Sequence, residues 1–234
     1  MLSLIIPTLN EEKYLPRLLE SIVNQKDFSD YEIIVSDGNS TDKTREIAHK
    51  YGCRVVVSDR KSPAIQRNAG ANIASGDILL FVDADNILPA GFLKKVYSEF
   101  IRKELDVAGF YLDFNSPRVI FYLFSFIYNV GCWIMQLFFP VSVGVGIMAK
   151  KDKHCLINGF DESIFIGEDY DYTKRMRAGG KYRMMSSSHI IYSVRRLERE
   201  GVMKVLWKWL RGSLYFLLKG PIRKEIVRYD FGNF

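Results

Sequence analysis

The chain has 234 residues, of which 48% are hydrophobic and 26% are charged, a balance typical of a folded globular protein and not of a disordered one. Its net charge is +6, and its three cysteines, Cys53, Cys132 and Cys155, include no CxxC pair. These cysteines predict neither a disulfide framework nor a zinc site and fit a reducing cytosol. Because no cleavage signal precedes the strand-like run at 2–6, we expect a cytoplasmic protein and not a secreted one.

The positive charge is concentrated near the C-terminus. Residues 181–234 contain 12 Lys and Arg against 4 Asp and Glu, whereas residues 1–180 contain 21 against 23. A basic segment of this kind favours a polyanion, such as a nucleic acid, anionic lipid headgroups or a phosphorylated ligand. Composition alone does not choose among these partners.

The first 110 residues alternate between short apolar runs and amphipathic stretches, which predicts strands joined by helices in a largely parallel sheet. The predicted strands are 2–7, 31–36, 54–58 and 78–82, and the predicted helices are 11–25, 42–51 and 64–73. Ser40 or Thr41 is the expected cap of the second helix, and Gly52 is its expected end. In such a sheet ligands gather at the carboxyl ends of the strands, where Thr8, Glu11, Asp37, Asp83 and Asp85 are found.

Residues 119–149 contain no charged side chain. A run of this length suggests a transmembrane helix. Asn129, Gly131, Gln136 and Pro140 interrupt the run, and 141–149 is better interpreted as a buried strand. We therefore expect apolar helices at 119–139 that lie on the bilayer interface, with packing in the protein core as the alternative.

Residues 202–219 form a second amphipathic stretch. Lys204, Lys208, Arg211 and Lys219 fall on one helical face, beside aromatic and aliphatic side chains. A basic stripe next to an apolar face suits an anionic membrane surface, although a solvated helix packed on the domain has the same pattern.

The strongest local signal for a functional site is the Asp83-Ala84-Asp85 triplet that follows the predicted strand at 78–82. Two neighbouring carboxylates repel each other unless a cation joins them, and hard oxygen ligands select Mg²⁺ or Mn²⁺. Such an ion can hold the two phosphates of a nucleotide-sugar and stabilise the departing diphosphate. An isolated Asp-x-Asp is a weak signal, and its place after a fourth apolar strand strengthens it.

Four blocks in order make the chain resemble the family 2 glycosyltransferases, over about residues 2–197. The blocks are Ile5-Ile6-Pro7-Thr8-Leu9-Asn10-Glu11-Glu12, Ile33-Ile34-Val35-Ser36-Asp37-Gly38-Asn39-Ser40-Thr41-Asp42, Arg67-Asn68-Ala69-Gly70 followed by Asp83-Ala84-Asp85, and Gly159-Phe160-Asp161-Glu162 followed by Gly167-Glu168-Asp169. The resemblance implies the GT-A fold: a Rossmann-like α/β domain with a mixed, mostly parallel sheet flanked by helices. It implies a domain at 1–200, with a nucleotide-binding half at about 1–110 and an acceptor half at 111–200, followed by a basic helical segment at 201–234.

The resemblance also implies roles for individual residues. A nucleoside-diphosphate sugar would be bound by the residues Pro7, Thr8, Asn10, Glu11, Asp37, Arg67 and Asp83. Asp85 would bind the divalent metal with Asp83, and His189 is a candidate third ligand. Asp169 would be the general base of an inverting transfer, with Glu168 as the neighbouring alternative. Arg195 and Arg196 would hold the diphosphate or an acceptor phosphate, because planar guanidinium groups suit phosphate oxygens.

The chain departs from the larger processive members of the family. In place of their Gln-x-x-Arg-Trp block it has Val194-Arg195-Arg196-Leu197, so we expect transfer of a single sugar. The expected acceptor is lipid-linked or a glycan, at an anionic membrane surface on the inner face of the cell membrane, and no nucleic acid is expected as a partner. A non-catalytic binding module on the same fold and a sugar-nucleotide nucleotidyltransferase are the alternatives, although the Gly-rich phosphate loop of the latter is absent.

Overall fold

The computed structural model describes residues 1–114, 118–137 and 146–201, together with positions 204, 205, 207, 211, 215, 220, 222 and 223. Its strands are β1 (Leu2–Thr8), β2 (Tyr31–Asp37), β3 (Arg54–Val57), β4 (Ile78–Val82), β5 (Val107–Asp113), β6 (Gly146–Lys150) and β7 (Tyr182–Ile191). Its helices are α1 (Leu15–Val23), α2 (Thr44–Lys50), α3 (Pro63–Ile73), α4 (Phe92–Arg102), α5 (Val119–Met135), α6 (Lys151–Leu156), α7 (Glu168–Ala178) and α8 (Arg195–Glu200).

The seven strands form one sheet in the order β3-β2-β1-β4-β6-β5-β7. Every neighbouring pair is parallel except the two pairs that contain β6, which runs antiparallel to β4 and to β5. The predicted mixed, mostly parallel α/β sheet is therefore confirmed. The carboxyl ends of β1, β2 and β4 share one edge, so Thr8, Asp37 and Asp83 are brought to the same side of the molecule.

Both faces of the sheet are buried, as expected for a parallel sheet between helices. Along β1, Leu4 and Ile6 pack into the cluster that contains α1 and α4, whereas Ile5 packs into the cluster that contains α7. The alternation follows from the two-residue period of a strand. On the second face α3 approaches β1 closely, because a Cβ at Gly70 would lie 2.5 Å from a methyl group of Ile5.

The structure contradicts the predicted cap of α2 and describes only a few residues of the predicted helix at 202–219. Lys43 is the N-cap residue of α2 and its side chain makes no capping hydrogen bond, whereas the N–H of Thr44 donates to the Asp42 carboxylate at 3.0 Å, so the prediction of a Ser40 or Thr41 cap was wrong. The hydroxyl of Ser40 is instead bonded to Asp37, 2.6 Å away. The predicted helix at 202–219 lies mostly outside the described residues.

The apolar run at 119–139 contains the helix α5, which the structure holds against β5 through polar side chains. Asn129 donates to the carbonyl oxygen of Leu112 at 2.8 Å and accepts from its N–H at 3.0 Å, and the hydroxyl of Ser125 donates to the same carbonyl at 2.8 Å. The polar residues that interrupt the run therefore attach the helix to the sheet. Residues 138–145, which include the start of the predicted strand at 141–149, lie outside the description, and β6 confirms the part from Gly146.

Candidate active site

Asp37, at the end of β2, ties together the loops that follow β1 and β2. It is fully buried, and its carboxylate accepts hydrogen bonds from the Thr8 hydroxyl at 3.0 Å, the Ser40 N–H at 2.7 Å and the Ser40 hydroxyl at 2.6 Å. Asn10 lies in the loop that follows Pro7 and Thr8 of β1, and its N–H also donates to the Ser40 hydroxyl at 2.8 Å. Asp37 is therefore buried among internal partners, and its predicted contact with a nucleotide base stays a prediction.

Gln66 is a site residue that the sequence did not single out. It is buried on α3, and its amide group donates to the carbonyl oxygen of Thr8 at 2.5 Å. This bond fixes α3 to the end of β1. No motif signalled it, since a glutamine in an amphipathic helix is ordinarily a surface residue.

Arg67, one residue further along α3, joins acids from two distant parts of the chain. Its guanidinium donates to Asp83 at 3.0 Å and to Glu168 at 2.7 Å, and it lies 5.4 Å from the ring centre of Phe160. Arg67 is only 3% exposed. It therefore connects the Asp-x-Asp turn after β4 with the start of α7.

The start of α7 presents the predicted catalytic pair. Gly167 precedes the helix with a φ of +90°, a conformation that side-chain-bearing residues rarely adopt, and Glu168 and Asp169 are the first two helical residues. Burial raises the pKa of Asp169, and the neighbouring Glu168 carboxylate raises it further. A carboxyl group with a raised pKa near other acids is a common property of functional sites.

Arg195, the first residue of α8, holds a second set of acids. It makes two contacts with Glu11, at 3.0 and 2.9 Å, and its Nε lies 2.9 Å from Asp85. Its guanidinium also lies 4.5 Å from the ring centre of Tyr14. A bridge between Ile87 and Ile191 brings the end of β7 beside the Asp-x-Asp turn and so positions Arg195 there. Tyr14 had been interpreted only as part of an amphipathic helix.

Five carboxylates thus share this edge of the sheet with two guanidinium groups: Glu11, Asp83, Asp85, Glu168 and Asp169, with Arg67 and Arg195. Burial, together with the repulsion of the Asp85 and Glu168 carboxylates, raises the pKa of Asp83 to about 6 despite the attraction of Arg67. Burial likewise raises the pKa of Asp85 and of Glu11, although Arg195 opposes both shifts. The cluster carries more negative than positive groups, so a further cation would be favourable there.

A divalent metal fits this set of donors only with additional ligands. Among the described residues, no three Asp, Glu, His or Cys side chains converge into a metal site of their own. Mg²⁺ is commonly bound by one or two carboxylates together with substrate phosphates and water, which matches Asp83 and Asp85 beside a diphosphate. His189 lies 3.3 Å from Asp113, and its role as a third ligand stays a prediction. The side chain of Arg196 lies outside the described part of the chain.

The segment before α7 is held by residues close to the C-terminus. The carbonyl oxygen of Ile222 accepts from the Phe165 N–H at 2.8 Å, and Arg223 lies 2.9 Å from Asp161. Arg223 also donates to the hydroxyl of Ser163. No sequence pattern had indicated these contacts, which hold the loop that leads into Glu168 and Asp169.

Sequence comparison assigns the chain to a known protein family. Residues 3–134, more than half of the chain, match the family model described as Glycosyl transferase family 2. The chain belongs to glycosyltransferase family 2. This membership agrees with the resemblance that the four sequence blocks had indicated.

Two relatives show how far this glycosyltransferase resembles individual members of the family. The glycosyltransferase GlyA of Streptococcus pneumoniae is 30% identical over 127 residues, which are 52% of this chain and 18% of that protein. A Methanococcus voltae enzyme, named as a dolichyl N-acetyl-alpha-D-glucosaminyl phosphate 3-beta-D-2,3-diacetamido-2,3-dideoxy-beta-D-glucuronosyltransferase, is 27% identical over 93% of this chain and 80% of its own length. The chain thus spans less than a fifth of the first relative and four fifths of the second.

Solved structures confirm the fold of this glycosyltransferase. The mannosyltransferase PcManGT of Pyrobaculum calidifontis, in complex with GDP-Man and Mn²⁺, matches with a TM-score of 0.70 at 19% identity, over 90% of this chain and 64% of that chain. Staphylococcus aureus TarS 1–349, in complex with UDP-GlcNAc, matches with a TM-score of 0.65 at 24% identity, over 83% and 58% of the two chains.

Proposed function

We propose that this glycosyltransferase transfers a single sugar, with inversion and with the help of a divalent metal, from a nucleoside-diphosphate sugar to a lipid-linked acceptor at a membrane surface. The observation that carries the proposal is the gathering of acids that follow β1 and β4 and begin α7 at one edge of the sheet. Arg67 links Asp83 with Glu168 there, and Arg195 links Glu11 with Asp85. A binding module would have no need to bury so many acids together, at the cost of raised pKa values.

The donor would be bound on the side of the cluster formed by β1, β2 and β4. Pro7, Thr8, Asn10 and Glu11 would line the pocket for the nucleoside, and Asp83 and Asp85 would hold the cation. The cation supplies positive charge against the diphosphate as it departs. Support comes from PcManGT, which was solved with GDP-Man and Mn²⁺.

Asp169 would act as the general base on the acceptor hydroxyl. Its raised pKa makes it a stronger proton acceptor than an ordinary aspartate, and its place at the start of α7 puts it beside the acids that would bind the donor. Glu168 is held by Arg67 at 2.7 Å and is therefore engaged, which favours Asp169 as the base.

Activity measurements test this assignment. We would assay transfer from UDP-GlcNAc and from GDP-mannose to a polyprenyl-phosphate-linked acceptor, and determine the anomeric configuration of the product by NMR. Asp169→Asn should lower kcat by about 10²–10⁴-fold, the usual contribution of a general base. Asp152→Asn, the same chemical change on the exposed helix α6, is the matched control. Full activity of Asp169→Asn, or retention of configuration, would contradict the proposal.

The membrane part of the proposal is supported by α5. Three of its side chains, Phe121, Phe124 and Cys132, are buried, whereas an apolar face that includes Tyr122, Phe126 and Trp133 is more than half exposed. Exposed aromatic and aliphatic side chains on one helix suit the boundary between headgroups and acyl chains. Among the described residues, no helix is both long and apolar enough to cross a bilayer. The methanococcal relative, whose name includes dolichyl N-acetyl-alpha-D-glucosaminyl phosphate, supports a lipid-linked acceptor.

Vesicle sedimentation tests the membrane proposal separately from the chemistry. Phe126→Ser together with Trp133→Ser should abolish binding to vesicles that contain anionic lipid, because both side chains are 61% exposed on the apolar face. Leu156→Ser, which removes a 75% exposed apolar side chain from α6, is the control and should bind normally. Equal sedimentation of the double variant and the wild type would show that α5 does not contact lipid.

A further inference from the structure

Arg195 contacts both Glu11 and Asp85. In the proposed function Glu11 binds the donor and Asp85 binds the metal. Its Nε lies 2.9 Å from Asp85, and its two terminal nitrogens lie 3.0 and 2.9 Å from the oxygens of Glu11. Three of the five N–H donors of the guanidinium are thus directed at these acids. The side chain is 19% exposed and lies over the ring of Tyr14, so it is well held in this position.

A divalent cation on Asp85 would compete directly with this arrangement. The carboxylate of Asp85 has one unit of negative charge, and a cation bound to it would be a like charge within a few ångströms of the guanidinium, in a partly buried place where such repulsion is strong. The Asp85 carboxylate is 13% exposed, so water screens the two cations poorly. Metal and guanidinium therefore compete for the same aspartate, and each weakens the binding of the other there.

We propose that Arg195 is a built-in counter-cation, which the metal displaces from Asp85 and which then turns to the diphosphate of the donor. The inference rests on the proposed function, in which Asp85 binds the metal, and adds how the site is loaded. Arg195 begins the six-residue helix α8, directly after the turn that follows β7, so its guanidinium can change partners without disturbing the sheet. A guanidinium is well suited to both partners, because its planar donors bind carboxylate and phosphate in the same bidentate manner.

This exchange makes metal binding and nucleotide binding assist each other. The metal alone must remove Arg195 from Asp85, and the nucleotide alone must draw the guanidinium away from two acids. When both bind together, the displaced guanidinium has a new partner in the diphosphate. By linkage each ligand then raises the affinity of the other by the same factor, in addition to any direct contact between them.

Calorimetry with Mn²⁺ alone gives a result whose sign is diagnostic. Arg195→Gln should bind Mn²⁺ about tenfold or more tightly than the wild type, because the variant lacks the competing charge. Arg102→Gln, the same change on an exposed residue at the end of α4, is the control and should bind Mn²⁺ like the wild type. With Mn²⁺ present, Arg195→Gln should bind UDP and GDP about tenfold more weakly than the wild type, because the diphosphate loses its guanidinium partner. Unchanged or weaker Mn²⁺ binding by Arg195→Gln would overturn the inference.

Two further variants keep the test decisive. Tyr14→Leu removes only the ring beneath the guanidinium and should raise Mn²⁺ affinity in the same direction but less, which provides a second measurement if Arg195→Gln does not fold. Asp85→Ala separates the two proposals. If Asp85→Ala binds Mn²⁺ as well as the wild type does, the metal assignment of the proposed function is wrong, and the exchange falls with it. If Asp85→Ala does not bind Mn²⁺ while the Mn²⁺ affinity of Arg195→Gln equals that of the wild type, only the proposed exchange of Arg195 for the metal is wrong.

Discussion

Arg67 offers the sharpest test of how the acids are held together. Its guanidinium is 3% exposed and contacts Asp83 at 3.0 Å and Glu168 at 2.7 Å. Breaking a buried ion pair by removing one partner typically costs 3–5 kcal/mol, because the remaining charge is left buried and uncompensated. Asp83 is 34% exposed and can be partly solvated by water, so we expect the lower end, about 3 kcal/mol, for Arg67→Met.

Urea unfolding of this variant measures the effect. With a slope of about 2 kcal/mol per molar urea, the midpoint should fall by about 1.5 M. Adding Glu168→Gln to Arg67→Met should restore part of the loss, because it removes one of the stranded charges, and a double-mutant cycle gives the coupling. Arg102→Met, on the exposed end of α4, should change the midpoint little. A midpoint of Arg67→Met within the error of the wild type would refute the view that Arg67 compensates these acids.

Three further predictions concern the surroundings of the site. Burial lowers the pKa of His154 to about 4, so between pH 6.5 and 4 this histidine binds a proton in the unfolded chain but not in the folded one. The free energy of unfolding should therefore fall by about 3 kcal/mol as the pH drops through this range. In urea unfolding, His154→Phe should lack this part of the pH dependence, and a pH dependence identical to that of the wild type would contradict the assignment. Asp37→Ala should lower the unfolding free energy by about 3 kcal/mol, because three buried donors lose their acceptor, and a loss below 1 kcal/mol would count against the network. Arg223→Glu should speed hydrogen exchange at 161–167, and a charge swap with Asp161→Arg should reverse the effect; unchanged exchange would show that the C-terminal contacts do not hold this loop.

The first half of the fold could be predicted because each strand has its own local signal. The apolar runs and their turns predicted the four strands of the first 110 residues to within a residue or two, and the position of Asp83 and Asp85 followed from the parallel arrangement. The antiparallel insertion of β6 between β4 and β5 had no such signal, since it depends on packing among distant segments. The family resemblance, and not periodicity, supplied the expectation of a mixed sheet.

The site shows the same limit at the level of side chains. The sequence singled out these acids and arginines as candidates but did not predict which of them contact each other, because partners such as Glu11 and Arg195 are 184 positions apart. It assigned Arg67 to the nucleotide or its phosphates and Arg195 to a phosphate, and both assignments stay predictions. The structure adds that both guanidinium groups contact carboxylates. The sequence prediction also missed Gln66 and Tyr14, whose helical spacing is that of ordinary packing residues. Contacts of this kind come from tertiary packing, about which a single sequence contains little local information.

The most direct test of the metal-dependent transferase is the affinity of the protein for nucleoside diphosphates with and without a divalent cation. We expect UDP or GDP to bind measurably by calorimetry in the presence of Mn²⁺, and to lose most of that affinity both after complete chelation and in Asp85→Ala. Affinity that is the same in Mn²⁺ and in chelator, for the wild type and for Asp85→Ala alike, would contradict the claim that the acids after β4 hold a cation against the departing diphosphate.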